Sequence, residues 1–466
     1  MPRLDRLDRA VGLVLALIAC AIGVLLARGD QVGARLLSSK PDPGERAVAL
    51  RPTLLLQFSE PMRRADVEAR LAITPAISGT WSWAGATASF APGAPLLPAA
   101  TYTVTLAPGA VSVRGRVMTE RTVIPFTTRQ ARLAYLWPAS GVANLVLAEL
   151  DAAGTLRPRA LTSEPFGVYD FAVSPDGAWI VYAATRDISG SRDLWLIDTS
   201  GGNRRRIVAC EEQLCGTASW SADGQRIAFE RRKLEKGTFG VTPGPSRAWI
   251  FDLPTNTASA LYTDTQVLAA LPRWSPTGER LTFYDNLLGV QSLVDLRAGS
   301  ALELPSMLGD PPVWAPDGNA FVFADLVSVG EERFQQLLRF DLASGVITPA
   351  QTLTRTDDGS PTWSPLGDRI AFGRRVSSDV AMQDAVGFFG PQVWVADLPA
   401  GTARALTADY DHSHGALTWS PDGRWIAFMR TSLREINPAP EIWLIAPDGT
   451  SAHLAVRDAL LPAWVP

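Results

Sequence analysis

WSPDG at Trp419–Gly423 is the clearest copy of a five-residue turn that decides how this chain is read. Near-copies stand at Val173–Gly177 (VSPDG), Trp220–Gly224 (WSADG), Trp274–Gly278 (WSPTG), Trp314–Gly318 (WAPDG) and Trp363–Gly367 (WSPLG), and Trp464–Val465–Pro466 is a truncated seventh. First positions lie 47, 54, 40, 49, 56 and 45 residues apart, a period of about 48 that suits a four-stranded propeller blade. Pro presets φ, Gly accepts positive φ and Asp or Ser bonds the local backbone, so the motif is a structural hairpin before it is anything else. A second strand follows each turn, as at Arg226–Phe229 or Trp425–Phe428, and a third ends near a polar residue, as at Leu194–Asp198. Leu133–Tyr135 and Leu145–Leu150 supply these strands for a repeat whose innermost strand is missing at that end. Pro462–Val465, at the other terminus, fills the gap and predicts a closed ring without open sheet edges.

Upstream, residues 41–129 carry short alternating strands: Thr53–Phe58, Thr80–Trp83, Ala86–Phe90, Thr101–Leu106 and Thr122–Phe126. Period-2 apolar spacing and Pro/Gly punctuation indicate a β-sandwich. Trp81 and Trp83, two apart, share one face and read as packing residues. FSEPM (Phe58–Met62), LLPAATYTV (Leu96–Val104) and PFTT (Pro125–Thr128) resemble bacterial Ig-like domains of the SbsA type, which implies an envelope spacer or adhesive module. Residues 130–466, with WSPDG followed by IAF and a D-L-W-type strand, resemble the TolB-type β-propeller repeat. TolB is periplasmic, has six blades and works through protein contacts. The expected fold is therefore all-β, an Ig-like sandwich followed by a seven-bladed propeller, with six blades as the alternative.

The apolar run Ala10–Ala27 follows Arg3, Arg6 and Arg9, and 18 residues would span roughly 27 Å as a helix. Residues 1–30 are read as a single-pass membrane anchor or signal, with Leu17–Cys20 as a lipobox-like alternative in which Cys20 is lipidated. Residues 31–46 read as a polar linker. Each reading places the rest of the chain outside the cytoplasm of a bacterial cell.

Composition limits function. Lys+Arg of 43 against Asp+Glu of 47 leaves a net charge of −4, which argues against nucleic-acid binding. Three Cys exclude a disulfide-dense scaffold, although Cys210 and Cys215 are close enough to pair. No GxSxG elbow, HExxH helix, P-loop or dinucleotide-binding glycine pattern occurs.

In an antiparallel meander the second-to-third strand connections share a face with the links between blades. Four irregular insertions fall there: Arg231–Ser246, Asp325–Phe334, Gly373–Pro391 and Arg430–Pro440. They make this the expected binding face, with Arg231, Arg232, Phe388 and Phe389 as candidate contacts. DYDHSHG (Asp409–Gly415) adds Asp409, Asp411, His412 and His414; an HxH pair beside carboxylates can ligate a metal, though a closed site needs three or four ligands. The expectation is a non-enzymatic protein, anchored in the membrane by its N-terminal helix, that needs no cofactor and binds a protein or an envelope polymer. The alternative is a metal-dependent polysaccharide lyase, because oligogalacturonate lyases use a similar propeller with His ligands; here these would be His412 and His414.

Overall fold

The computed structural model describes residues 14–20, 33–151, 154–237, 240–352, 354–376, 390–398 and 401–466. Residues 14–20 are helical and exposed, and among the described residues no helix is long and apolar enough to cross a membrane. Most of the expected anchor lies outside the described residues. By internal contacts the chain divides into two units, one built on residues 1–46, 53–93 and 101–127 and the other chiefly on residues 128–466.

The first unit is a pair of four-stranded sheets. One orders Leu36–Lys40, Leu54–Phe58, Thr87–Pro92 and Gly79–Ala84; the other orders Glu45–Val48, Thr122–Thr128, Thr101–Leu106 and Leu71–Thr74. Alternation in Leu54–Phe58 buries Leu54, Leu56 and Phe58 and exposes Leu55. Trp81 packs on Phe90 with ring centroids 4.9 Å apart, and Trp83 on Phe58 at 6.3 Å, so both indoles serve their own sheet. The expected linker at 31–46 is corrected: Leu36–Lys40 and Glu45–Val48 are edge strands. Edge strands tolerate the Ser, Lys and Glu that made the segment look like a tether, because one face and one edge meet water.

In the second unit the described strands fall into seven four-stranded antiparallel sets, numbered here from the one that joins both chain ends. Set 1 orders Leu460–Val465, Ala131–Trp137, Asn144–Leu150 and Leu156–Ala160, with Trp464 opposite Leu133. The innermost strands of sets 2 to 7 are Val168–Val173, Gln213–Trp220, Ala269–Trp274, Val313–Trp314, Thr356–Trp363 and His412–Trp419. Arg192 pairs in parallel with Leu214 and joins sets 2 and 3 into one sheet.

Every set shares an apolar cluster with the next. Leu145 of set 1 packs with Ile180 of set 2, Leu196 with Phe229, Ala228 with Leu281, and Leu293 with Phe321. Val322 then packs with Phe372, Val395 with Phe428, and Leu444 of set 7 with Tyr135 and Trp464 of set 1, which returns the packing to its start. The repeated Trp also straps neighbours together. Trp220, Trp363 and Trp464 each donate an indole N–H to the carbonyl one residue before the corresponding position of the preceding set: Ala172 (3.0 Å), Val313 (2.9 Å) and Thr418 (3.2 Å). The adjacent turn is held locally, as where Trp179 donates its backbone N–H to Ser174 Oγ at 2.9 Å and Gly177 takes φ 62°.

Two features were not read from the sequence. In five inner strands the residue three positions before Trp has positive φ: Thr217 (50°), Leu271 (53°), Ser360 (51°), Ala416 (48°) and Leu461 (52°). The ladder shifts register at each, so a β-bulge recurs on the inner rim. Non-glycine residues pay for this left-handed conformation, and its recurrence at one repeat position marks it as part of the design. The second feature corrects the expected irregular loops. Arg231–Ser246 and Asp325–Phe334 belong to the outer halves of paired strands, Arg226–Gly237 with Gly240–Asp252, whose register shifts once between Arg232 and Leu234, and Ala320–Val329 with Glu332–Asp341. Their charge density resembled a loop because strands that project beyond the body of the sheet have polar side chains on both faces.

Two outcomes follow. Trp464 is 6% exposed and both packs and straps sets 7 and 1, so Trp464→Ala should cost about 3–5 kcal/mol in chemical denaturation; a change under about 1 kcal/mol would show the closure to be dispensable. Cys210 and Cys215 form a disulfide across a short loop, and Cys215→Ala should lower stability by roughly 2 kcal/mol relative to the oxidised parent. An unshifted denaturation midpoint would contradict a structural role for that bond.

Candidate functional site

Among the described residues the set 3 hairpin has the longest strands on the expected face, and a cleft of about 700 Å³ opens at its base. Tyr169 and Arg192 of set 2 form one side, Glu230, Arg232 and Pro243–Ser246 of the long hairpin another, and Leu268 and Leu271 of set 4 the third. Gly216 and the bulged Thr217 also line it, next to the Cys210–Cys215 disulfide. Volume and mixed apolar and charged lining are those of a small-molecule or side-chain site.

The bulge organises the polar groups beside the cleft. Thr217 donates its backbone N–H to Asp170 Oδ2 (2.6 Å) and its hydroxyl to Glu230 Oε2 (3.1 Å), and its carbonyl accepts from Arg273 Nη1 (3.3 Å). Burial raises the Asp170 carboxyl above its ordinary value, opposed by the Thr217 N–H and by the charges of Arg192 and Arg273. Burial lowers the Arg273 guanidinium, opposed by Asp170 and Glu230. Arg192 lies over the Tyr169 ring at 3.4 Å, and Arg232 donates from Nε to the Gly244 carbonyl at 3.0 Å. At the inner-strand position just before the Trp, Arg273 is the one long side chain; its counterparts are Ala172, Ser219, Val313, Thr362, Thr418 and Ala463.

Arg231 and Arg232, expected together on the binding face, diverge because successive strand residues point to opposite sides. Arg232 enters the cleft, whereas Arg231 stacks on Trp249 at 4.7 Å and bonds Gln213. Arg374 over Trp394 and Arg430 over Trp443, both at 4.7 Å, repeat that stacking in sets 6 and 7, so Arg231 holds its own blade together. Phe388 and Phe389 lie outside the described residues. Cys20 is a free, exposed cysteine within the helical residues 14–20.

His412 and His414 stand at the start of the innermost strand of set 7. His412 Nδ1 is 2.9 Å from Asp409 Oδ1, and Arg430 grips Asp409 Oδ2 from Nη2 (2.7 Å) and Nε (2.9 Å) while Nη1 meets Glu441 at 3.0 Å. Asp411 pairs outward with Arg434 at 2.7 Å. His414 is 2% exposed, with Nδ1 3.0 Å from Thr407 Oγ1 and its ring edge-on to Phe428; burial pushes it down to about 4, so it is neutral at physiological pH. Of the pair expected to ligate a metal, His412 meets Asp409 and Arg430 Nη2 (3.2 Å) through Nδ1 and His414 meets Thr407, so each imidazole has a protein partner of its own. Among the described residues, no three His, Cys, Asp or Glu side chains converge as a metal site. The i, i+2 spacing put both imidazoles on one strand but held no information about Arg430.

Tyr169, Arg192, Thr217, Glu230 and Arg273 are not marked in the sequence, where they are spread over three successive repeats at ordinary strand positions. A signal was present in Arg273, the long exception in an otherwise small-residue column of the repeat.

Comparison with known proteins bears on both units. Residues 30–128 match the family described as bacterial Ig-like domain. Dipeptidyl-peptidase 5 of Porphyromonas gingivalis is 25% identical over 339 residues, which cover 61% of this chain and 48% of that protein; the chain thus spans about half the length of this curated relative. Among solved structures, oligogalacturonate lyase from Vibrio parahaemolyticus aligns with a TM-score of 0.50 and 16% identity over 67% of this chain and 85% of its own. TolB from Acinetobacter baumannii aligns at 0.43, with 16% identity over 93% of this chain and 99% of its own. The chain carries a bacterial Ig-like domain at residues 30–128, and its structural neighbours are TolB-type and other β-propellers.

Proposed function

We propose that this chain is a non-enzymatic, extracytoplasmic binding protein, held to the bacterial membrane by its N-terminal apolar run, in which a seven-bladed propeller presents the face that carries the cleft to a protein or an envelope polymer. The observation that carries the reading is the cleft of about 700 Å³ at the base of the set 3 hairpin, with Arg192, Arg232 and Glu230 among apolar walls. A site formed by three blades of a closed ring is preorganised, so little ordering free energy opposes binding. Proteins similar to this chain include a peptidase and a lyase as well as TolB, so likeness alone does not decide between binding and catalysis. Anchoring by lipidated Cys20 is the alternative means of attachment.

The purified full chain should cosediment with isolated cell-wall sacculi or bind detergent-solubilised envelope proteins immobilised on beads. Arg192→Ala with Arg232→Ala should weaken that retention roughly tenfold. Retention equal to the parent's would sink the cleft as the binding site. Elemental analysis tests the lyase alternative. The proposal expects well under one Mn or Zn per chain, unchanged by His412→Ala with His414→Ala; stoichiometric metal lost in that double variant would overturn the non-enzymatic reading.

A further inference from the structure

One rung of the sheet that joins sets 2 and 3 runs along the cleft. Arg192 pairs with Leu214, Leu214 with Arg232, and Arg232 with Ser246. Paired residues on neighbouring strands point to the same face, and all four of these line the cleft. Leu214 therefore lies between two arginines. We propose, on the reading of the cleft as the binding site, that this rung holds a carboxylate of a bound peptide, with one guanidinium on each side of the group and its aliphatic neighbour over Leu214.

Three observations carry it. First, both guanidiniums have unused donors. The Arg192 side chain donates no hydrogen bond to any described residue; it stacks on Tyr169 at 3.4 Å, a contact that engages its flat face and leaves its N–H edges open. Arg232 donates to the Gly244 carbonyl from Nε, the atom that also stands 3.9 Å from Glu230 Oε1, so neither of its Nη atoms bonds a described residue. Open guanidinium edges match a carboxylate, whose two oxygens accept parallel N–H donors.

Second, the spacing fits. Neighbouring strands lie ~4.8 Å apart, which sets the two arginine Cα atoms roughly 10 Å from one another with the Leu214 strand between them. One carboxylate with N–H···O contacts of about 2.8 Å on both sides spans most of that gap, and the flexible arginine stems close the rest.

Third, the surroundings select what carries the carboxylate. Glu230, 9% exposed, accepts the Thr217 hydroxyl at Oε2, and Glu235, farther along the same strand, also lines the cleft. Two guanidiniums against two carboxylates leave no surplus positive charge for a phosphate dianion; a monoanion placed by hydrogen bonds suits them better. Pro243, Pro245, Leu268 and Leu271 offer apolar walls to aliphatic side chains. Tyr169 is the one aromatic side chain on the described lining and Arg192 covers a face of it, so a sugar ring finds little to stack on.

The test uses the purified full chain and dye-labelled peptides of about six residues and one parent sequence ending in Leu. One has a free terminal carboxylate, one is amidated, and one is amidated with an internal Glu. Fluorescence anisotropy should show saturable binding of an acidic peptide roughly tenfold or more tighter than of the plain amide. Which acidic peptide binds tells whether a chain end or a glutamate supplies the group. Arg192→Gln with Arg232→Gln should abolish the preference, and Arg192→Lys with Arg232→Lys, which keeps the charge without the fork, should keep part of it. The contrast between acid and amide is read on the parent protein and so does not depend on either variant folding. Equal binding of all the peptides, binding of none, or tighter binding of a phosphoserine peptide or of galacturonate oligomers overturns the inference. Retention on sacculi or envelope proteins that still needs Arg192 and Arg232, without any acid preference, overturns it while leaving the cleft as the binding site. An acid preference that needs both arginines, with retention indifferent to them, sinks the envelope-binding reading and leaves the carboxylate site standing.

Discussion

The antiparallel pairing of Leu460–Val465 with Ala131–Trp137 is the constraint on which the larger unit depends. It joins the two ends of that unit into one four-stranded set, so the chain cannot fray from its C-terminus without breaking a ladder shared with residues near the start. Beside it, Ser140 donates its backbone N–H and hydroxyl to the Asp458 carboxylate at 2.8 and 2.7 Å, a clasp between positions 318 apart. Forming such a contact requires closure of nearly the whole unit, a large loop-closure entropy that only a nearly complete ring of packed blades can offset. Tyr135, Leu444 and Trp464 in one apolar cluster supply that offset at the seam.

Closure also positions the candidate site. A bulge in the inner strand of set 3 turns the Thr217 peptide toward both neighbours, so that Asp170 of set 2 and Arg273 of set 4 bond the same residue. The cleft above it takes walls from all three sets and keeps its shape only while they hold their positions in the ring. The disulfide at Cys210–Cys215 reinforces this corner, where sets 2 and 3 are already joined into one sheet. The cleft thus lies where a disulfide and a shared sheet brace two neighbouring sets, as suits a preformed recognition surface.

Much of the architecture was legible because its signals are local. Each SPDG-like turn closes its own hairpin through Ser, Asp or both, and the Trp before it packs and in three sets straps the preceding one. Alternation in Leu54–Phe58 likewise revealed a sandwich strand without any tertiary knowledge. The strands at Leu36–Lys40 and Glu45–Val48 were misread as linker because polar edge strands carry almost no hydrophobic period. The hairpins of sets 3 and 5 read as loops for a related reason: beyond the body of the sheet there is no core to impose alternation.

The HxH motif shows where local reading stops. His412 and His414 are adjacent to carboxylates in sequence, yet Arg430, contributed by the neighbouring strand, claims Asp409, and burial keeps His414 neutral. By itself the sequence determined the repeat, its turn chemistry, the Ig-like module and the strand that completes the first set, because each of these is written in contiguous residues of fixed spacing. Only the tertiary structure decided which arginine of the Arg231–Arg232 pair faces a cavity, that Thr217 would be the hub of a charged cluster, and that Arg192 and Arg232 would flank Leu214 on one face of a joined sheet. Those outcomes depend on side chains from different blades meeting across distances that no periodicity records.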